Sequence, residues 1–329
     1  MEKIITLSNG NKFQMPDLET LTKIASLDIK VEWVADRFIP EKAITLLHGK
    51  GGTGKTWLCL ELGRCVANGE EVFGLRTKKM PVYYIDFENS LPSLSERARR
   101  LGPSPMQIWH LSTNPPPPRL DDDTWEAYKH LDPGLIIFDT LRSCQSSEEN
   151  NSREMADVIG RLKEMRALGF TVILMHHTTK NGETFRGSQA ILDLCDHVLS
   201  LERVKRIGSD EIVEEDNDLK LPLRLAIKDK TRFSSDFRPM YFRFREEGGL
   251  CLADDPDCEL MEQMDQTLRE YCNQTGQGLG YNEFFEKVKA GTKIRSKKTF
   301  HRLIKRGEKR LWGNTDQGKG KKSAYYSLN

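Results

Sequence analysis

The sequence predicts an α/β fold, a parallel sheet flanked by helices, carrying a small winged helix-turn-helix unit at its C-terminal end. Two observations predict it. Apolar runs of strand length alternate with stretches of helical period through the first three quarters of the chain. The composition then changes after Ala253, where DDPDCELMEQ leads into three more helical segments and a hairpin-like tail. With 329 residues the chain has room for one large domain and one small one. We read residues 1–30 as an N-terminal arm, 31–253 as the α/β domain and 259–329 as the appended unit.

The elements follow in order. The arm has weak periodicity. Ala43–Leu47 (AITLL) is a short apolar strand, followed by the glycine-rich HGKGGTGKT. Thr56–Ala67 reads as a buried helix and Val82–Phe87 (VYYIDF) as a second strand. Leu94–Leu101 is a charged amphipathic helix. Pro115–Pro118 must be extended, since proline neither donates to a ladder nor sits inside a helix. Leu135–Phe138 (LIIF) and Thr171–Met175 (TVILM) are buried strands on either side of a helix at Glu154–Leu168. Val198–Val204 and Leu223–Ile227 are further strands, with an acidic solvated tip between them at Ser209–Asp218. Leu260–Tyr271, Tyr281–Val288 and Lys297–Arg310 are helices, and GNTDQGKGKKSAYYSLN closes the chain as strand, turn and strand. Three helices closed by a hairpin is the plan of a winged helix.

Composition excludes little but bounds the partners. Hydrophobic residues make up 37% and charged residues 30%, the balance of a soluble globular chain. A formal net charge of +1 exerts no global pull toward nucleic acid or membrane, so any such pull is local. The seven cysteines form no CxxC pair or zinc spacing, which suggests a reducing, cytoplasmic setting. The N-terminus lacks an apolar signal core, and no apolar run is long enough to span a bilayer.

The chemistry concentrates at Gly49-Lys50-Gly51-Gly52-Thr53-Gly54-Lys55-Thr56, which fits GxxxxGK[ST] at every fixed position. It lies between a strand and a helix, the context the motif requires. The glycines let main-chain N–H groups curl around phosphates, and the helix N-terminus adds partial positive charge. Lys55 should reach the β- and γ-phosphates of ATP, and the Thr56 hydroxyl should hold magnesium (Mg2+). Asp139 ends the apolar run LIIFD, where a carboxylate at a strand tip serves the same metal. In VYYIDFEN, alternation puts Asp86 and Glu88 on one face, and Glu88 is positioned to orient the attacking water. One imidazole of His176-His177, at the end of TVILMHH, would contact the γ-phosphate.

Together, HGKGGTGKT, YIDFEN, LIIFDT, HHTTK with FRGSQAILD, and KTRF resemble the RecA-like ATPases, above all the RepA-type ring-shaped replicative helicases of plasmids. The resemblance covers roughly residues 31–245, and the pairing of HHTTK with RGSQA is its most specific part. It implies a Mg-dependent ATP hydrolase with Glu88 as catalytic glutamate, Asp139 as the Walker B aspartate and His177 as sensor. It implies that Lys230 and Arg232, and Arg186 in FRGS, reach the nucleotide of a neighbouring subunit in a homo-oligomeric ring such as a hexamer. It also implies that the loops 142–152 and 178–186 face a channel holding single-stranded DNA. The first of these loops departs from that pattern, being acidic at Glu148 and Glu149, a poor surface for phosphates.

From Lys287 onward fourteen Lys or Arg stand against two acidic residues. Lys297, Lys298, Arg302, Lys305, Arg306, Lys309 and Arg310 lie on or near one helix, and Lys319, Lys321 and Lys322 in the wing, an arrangement suited to duplex DNA. A solvated face in a protein-docking module is the other reading. Two further functional readings remain open. Lys50 gives the KGGTGKT form of ParA- and MinD-like partition ATPases, although an arm precedes the motif here and HHTTK, RGSQA and KTRF have no counterpart there. A nucleotide-switched DNA-binding regulator is the third.

Overall fold

A buried parallel strand must be apolar on both faces, and LIIF and TVILM are continuous apolar runs. In the computed structural model they are central strands. The structure describes residues 3–146, 152–178, 189–204, 221–233, 237–308, 311–315 and 324–328. Arg186, Lys309, Arg310, Lys319, Lys321, Lys322 and the acidic tip 209–218 lie outside them, as do Glu148 and Glu149.

The chain divides into two units, Met1–Glu32 and Trp33–Asn329. The first holds an antiparallel hairpin, β1 (Lys3–Thr6) and β2 (Lys12–Met15), and a short helix, α1 (Leu21–Ser26). Thr20 caps α1 by accepting from the Lys23 amide at 3.1 Å. The arm therefore has local structure that weak periodicity concealed.

The second unit begins with the small ladder of β3 (Trp33–Ala35) and β4 (Ile39–Pro40). Then come β5 (Ile44–Gly49), α2 (Lys55–Asn68), β6 (Val82–Asp86), α3 (Leu91–Leu101) and β7 (Gln107–His110). A 3-10 turn at Asp123–His130 precedes β8 (Leu135–Asp139), α4 (Ser152–Ala167), β9 (Thr171–His177), α5 (Gln189–Leu194) and β10 (His197–Arg203). A meander follows: β11 (Leu223–Thr231), β12 (Met240–Phe244) and β13 (Leu250–Ala253). All but β3 and β4 join one nine-stranded sheet in the order β13-β12-β11-β10-β5-β9-β8-β6-β7. The six strands from β10 to β7 run parallel, and β11, β12 and β13 extend the sheet antiparallel. The expected parallel sheet is thus the six-stranded core, extended by three antiparallel strands at one edge.

Helices cover both faces. Leu58, Leu62, Cys65 and Val66 of α2 pack with Leu47, Ile137, Ile173 and Met175 on one side. Met155, Val158, Ile159 and Leu162 of α4 pack with Leu46, Ile136, Phe138 and Leu174 on the other. Each such fully buried side chain contributes about 1.5–3 kcal/mol. Neighbouring strand residues therefore serve opposite layers, which is why Ile136 and Ile137 are both fully buried.

The remaining residues form α6 (Cys258–Thr275), β14 (Leu279–Gly280), α7 (Tyr281–Gly291), α8 (Lys297–Gly307), β15 (Trp312–Thr315) and β16 (Ala324–Ser327). The three strands pair antiparallel in the order β14-β16-β15. They share an apolar cluster of their own around Phe284, Phe300, Leu303 and Trp312. In α8 the buried Phe300, Leu303, Ile304 and Gly307 follow helical spacing, while Lys297, Lys298, His301, Arg302 and Lys305 are exposed opposite them. Arg306 departs from the sequence expectation. It turns inward, bonding Asp255, Asp257 and the Tyr241 hydroxyl, the last at 2.8 Å, because the turn from β13 into α6 leaves those carboxylates beside it. No helix among the described residues is long and apolar enough to cross a membrane.

Candidate functional site

Four adjacent strands, β5, β9, β8 and β6, end side by side, and the motif residues follow from their C-terminal tips, where parallel sheets hold ligands. The loop after β5 turns at Gly52 (φ +73°) and Gly54 (φ +87°), both in the left-handed region. A Cβ at Gly54 would lie 2.9 Å from Cζ of Phe244 on β12, and one at Gly49 would lie 2.3 Å from the Leu201 carbonyl oxygen. Thr53 Oγ1 donates to the Lys50 carbonyl at 2.9 Å, tightening the turn. Arg203 Nη2 donates to the Gly52 carbonyl at 2.9 Å, with its guanidinium 5.7 Å from the Phe244 ring centre. Lys50 and Gly51 are exposed.

Lys55 is buried and donates from Nζ to the carbonyls of Gly49 at 2.9 Å and Lys50 at 3.0 Å. Burial lowers its pKa to about 8, against the opposing pull of Asp139 and Glu88. Thr56 Oγ1 donates to Asp139 Oδ2 at 3.0 Å. The same oxygen accepts from the Tyr84 hydroxyl at 2.6 Å and from Asn89 Nδ2 at 3.2 Å. Asp139 Oδ1, by contrast, is buried without a hydrogen-bond partner among the described residues. Burial raises the Asp139 pKa, with the charges of Glu88 and Asp86 adding to it and the Tyr84 and Thr56 bonds opposing it. A buried carboxylate oxygen with free lone pairs beside a threonine hydroxyl fits the Mg2+ expected there, and the cation would relieve the desolvation. Among the described residues no three His, Cys, Asp or Glu side chains converge as a metal cluster, so such an ion would take its other ligands from water and phosphate.

Glu88 lies beyond the end of β6, which stops at Asp86. The two carboxylates therefore diverge rather than share a strand face. Asp86 is fully buried and accepts the amides of Glu88 at 3.0 Å and Asn89 at 2.9 Å, shaping the turn. Glu88 instead accepts from the hydroxyls of Thr140 at 2.7 Å and Ser143 at 2.9 Å through Oε1. His177 Nε2 stands 3.6 Å from the same oxygen, and His177 Nδ1 stands 3.3 Å from Lys55 Nζ. The imidazole, then those hydroxyls, pull the Glu88 pKa down to about 2 in spite of partial burial. The 3.6 Å contact is longer than a formed hydrogen bond, so the hydroxyls are the firmer part. An ammonium at Nδ1 makes that nitrogen the acceptor and leaves the proton on Nε2, facing Glu88. His177 thus stands between Lys55 and Glu88, and of the pair it is the one at this site, while His176 is fully buried.

Lys230 and Arg232 sit elsewhere. Lys230 Nζ donates to the carbonyls of Leu192, at 3.2 Å, and Asp193. Arg232 Nη1 donates to Asp196 Oδ1 at 3.1 Å, and Asp196 Oδ2 accepts from Arg166 at 2.6 Å and the Ile44 amide at 3.0 Å. Ile44 begins β5 and Gly49 ends it, so the pair lies a full strand length from this chain's own phosphate loop. Tyr84, Asn89, Thr140, Ser143 and Arg203 belong to the site and were not singled out from sequence. Tyr84 had a signal, since it precedes Asp86 by two on a strand; Arg203 had none, because its partner is a main-chain carbonyl distant in sequence.

The comparisons with known proteins agree with this geometry. A family model described as an AAA domain, AAA_25, matches residues 11–183. Among solved structures, the KaiC-like protein of the hyperthermophilic archaeon Pyrococcus horikoshii OT3 matches with a TM-score of 0.51. That match covers 68% of this chain and 100% of the other at 16% identity, a likeness of fold alone. With more than half its length inside the family match, and the phosphate loop, Asp139 and Glu88 assembled at one sheet edge, the chain belongs to this AAA domain family and is a RecA-like P-loop ATPase.

Proposed function

We propose that this ATPase acts on DNA as a ring-forming, RepA-like replicative helicase, or a related replication ATPase, of a plasmid, phage or mobile element. The observation that carries the reading is the separation of Lys230 and Arg232 from the phosphate loop of their own chain. Cations held a full strand away have no role at the nucleotide in cis, and Arg232 remains half-exposed at 51%. Head-to-tail assembly gives them one, stabilising charge on a neighbour's departing phosphate.

In this reading Lys55 leaves the loop carbonyls for the β- and γ-phosphates. Thr56 and Asp139 would hold Mg2+, which would supply neutralisation of phosphate charge. Glu88, ionised at neutral pH, accepts a hydrogen bond from the attacking water. The water oxygen bonds to the γ-phosphorus as the bond to the β-bridging oxygen breaks, giving ADP and phosphate. His177, next to both Lys55 and Glu88, is suited to report loss of the γ-phosphate. The exposed basic face of α8 offers duplex DNA a row of phosphate contacts, in keeping with a winged-helix role for residues 259–329.

ATP turnover with and without single-stranded DNA, alongside a strand-displacement assay, tests the proposal. Several-fold stimulation with unwinding is expected; neither stimulation nor unwinding would remove the helicase. The exposed Lys50 side chain favours a second reading, the partition-type ATPase. Assembly mass with a non-hydrolysable ATP analogue separates the two: hexamers support the ring, and dimers abolished by Lys50→Ala support the partition ATPase.

A further inference from the structure

Asn89 occupies the space between two buried carboxylates. Its Nδ2 donates to Asp86, at 3.0 and 3.1 Å from the two oxygens, and to Asp139 Oδ2 at 3.2 Å. An amide can flip and offer either end, and the wrong end would set its carbonyl against both carboxylates. Arg97 prevents this. Its Nη1 donates to Asn89 Oδ1 at 2.5 Å, so the carbonyl end is engaged and the amino end must face the carboxylates. Arg97 is steadied in turn by its position over the Trp57 ring, 5.7 Å from the ring centre, one residue beyond Thr56. The Asn89 main chain is held as well, its amide by Asp86 and its carbonyl by His110 Nε2 at 2.7 Å.

We infer that Asn89, oriented by Arg97, is a positioning residue that turns Asp139 so that Oδ1 is presented to the metal of the nucleotide. Among the described residues three donors gather on Oδ2, from Thr56, Tyr84 and Asn89, and none on Oδ1. Thr56 would itself hold the cation in this reading, through an oxygen lone pair that leaves its hydroxyl proton free to stay on Asp139 Oδ2. Tyr84 and Asn89 are the two donors to Oδ2 that would not meet the cation themselves, and of these two Asn89 is the one joined through Arg97 to Trp57 on the phosphate-loop helix. The inference rests on the assignment of this pocket to a Mg-nucleotide. It differs from the simpler role for Asn89, neutralising Asp86, which requires no link to Asp139 or Arg97.

A fluorescent ATP analogue titrated in EDTA, then against Mg2+ at fixed nucleotide, separates these roles. Asn89→Ala, Arg97→Ala and the double variant should bind the analogue in EDTA within about threefold of the wild type, while the half-saturating Mg2+ rises about tenfold in Asn89→Ala, as for other groups that orient a metal ligand. Arg97→Ala should move it the same way, and the double variant no further than Asn89→Ala alone, since the two act as one chain. Arg97 is half-buried on α3 and outside the sheet core, so its variant keeps the question decidable should Asn89→Ala fold poorly. Unchanged Mg2+ dependence, or effects that multiply in the double variant, would overturn the inference while leaving the nucleotide site intact. A wild-type chain that binds the analogue in neither condition would overturn the nucleotide site, and the inference with it.

Discussion

Lys55 does its work as a cation, yet its amine is buried on carbonyl oxygens that favour but do not fully compensate its charge. In the nucleotide-free chain it gives up its proton near pH 8, whereas a bound triphosphate favours the charged form. ATP binding above that pH therefore takes up a proton, and affinity falls as pH rises. Between pH 7 and 9 the dissociation constant should increase about tenfold, a change calorimetry reads directly. Glu88 gives a different expectation. Held ionised to about pH 2, it orients water rather than competing for protons near neutrality. Glu88→Gln should lower turnover about 100- to 10,000-fold with ATP affinity kept within a few-fold, measured by phosphate release and binding side by side. Both residues were legible in the sequence, because a fixed motif and a carboxylate at a strand end each carry a local pattern. Asn89, Thr140 and Ser143 were not, since their roles come from β6 and β8 ending side by side in register Asp86 to Asp139, a pairing no local pattern reveals.

At the scale of elements, the strands with continuous apolar runs were the readable ones, and their ends matched to within a residue or two. The missed strands had a physical reason. Strand β7 (QIWH) is a half-exposed edge with no apolar run, the apolar run of β12 (MYFRF) is interrupted at Arg243, and β13 (LCLA) is a four-residue edge strand with only Leu250 buried. The strand β10 hides a titrating group. His197 is fully buried at its start, with Nδ1 3.0 Å from Thr231 Oγ1, and burial lowers its pKa to about 4. The unfolded chain binds that proton near pH 6.5 and the folded chain does not. Stability is therefore unaffected above pH 6.5 and lost progressively as pH falls from 6.5 toward 4. Between pH 7 and 5 this residue should account for about 2 kcal/mol, seen as a smaller acid-induced loss of denaturant midpoint in His197→Leu than in the wild type.

For the whole molecule, the strand β12 joins two regions that the sequence showed as separate. Phe244 at one end packs at Gly54 of the phosphate loop, and Tyr241 at the other bonds Arg306 of α8. Arg306 also meets Asp255 and Asp257, whose side chains are 9% and 1% exposed. The basic run in α8 suggested one DNA-facing set; the structure divides it, because a cation three residues after Leu303 falls on the side facing those carboxylates. Arg306→Ala should cost about 1–3 kcal/mol by removing the cation that faces two largely buried carboxylates, and should speed hydrogen exchange in α8 while ATP binding persists. The account of the site depends on a triphosphate occupying the loop between β5 and α2. Isothermal titration of the wild-type chain with ATP and Mg2+ at pH 7 measures this directly. One site per chain with heat that disappears in Lys55→Ala is the predicted result; no heat from ATP at any accessible concentration would contradict it.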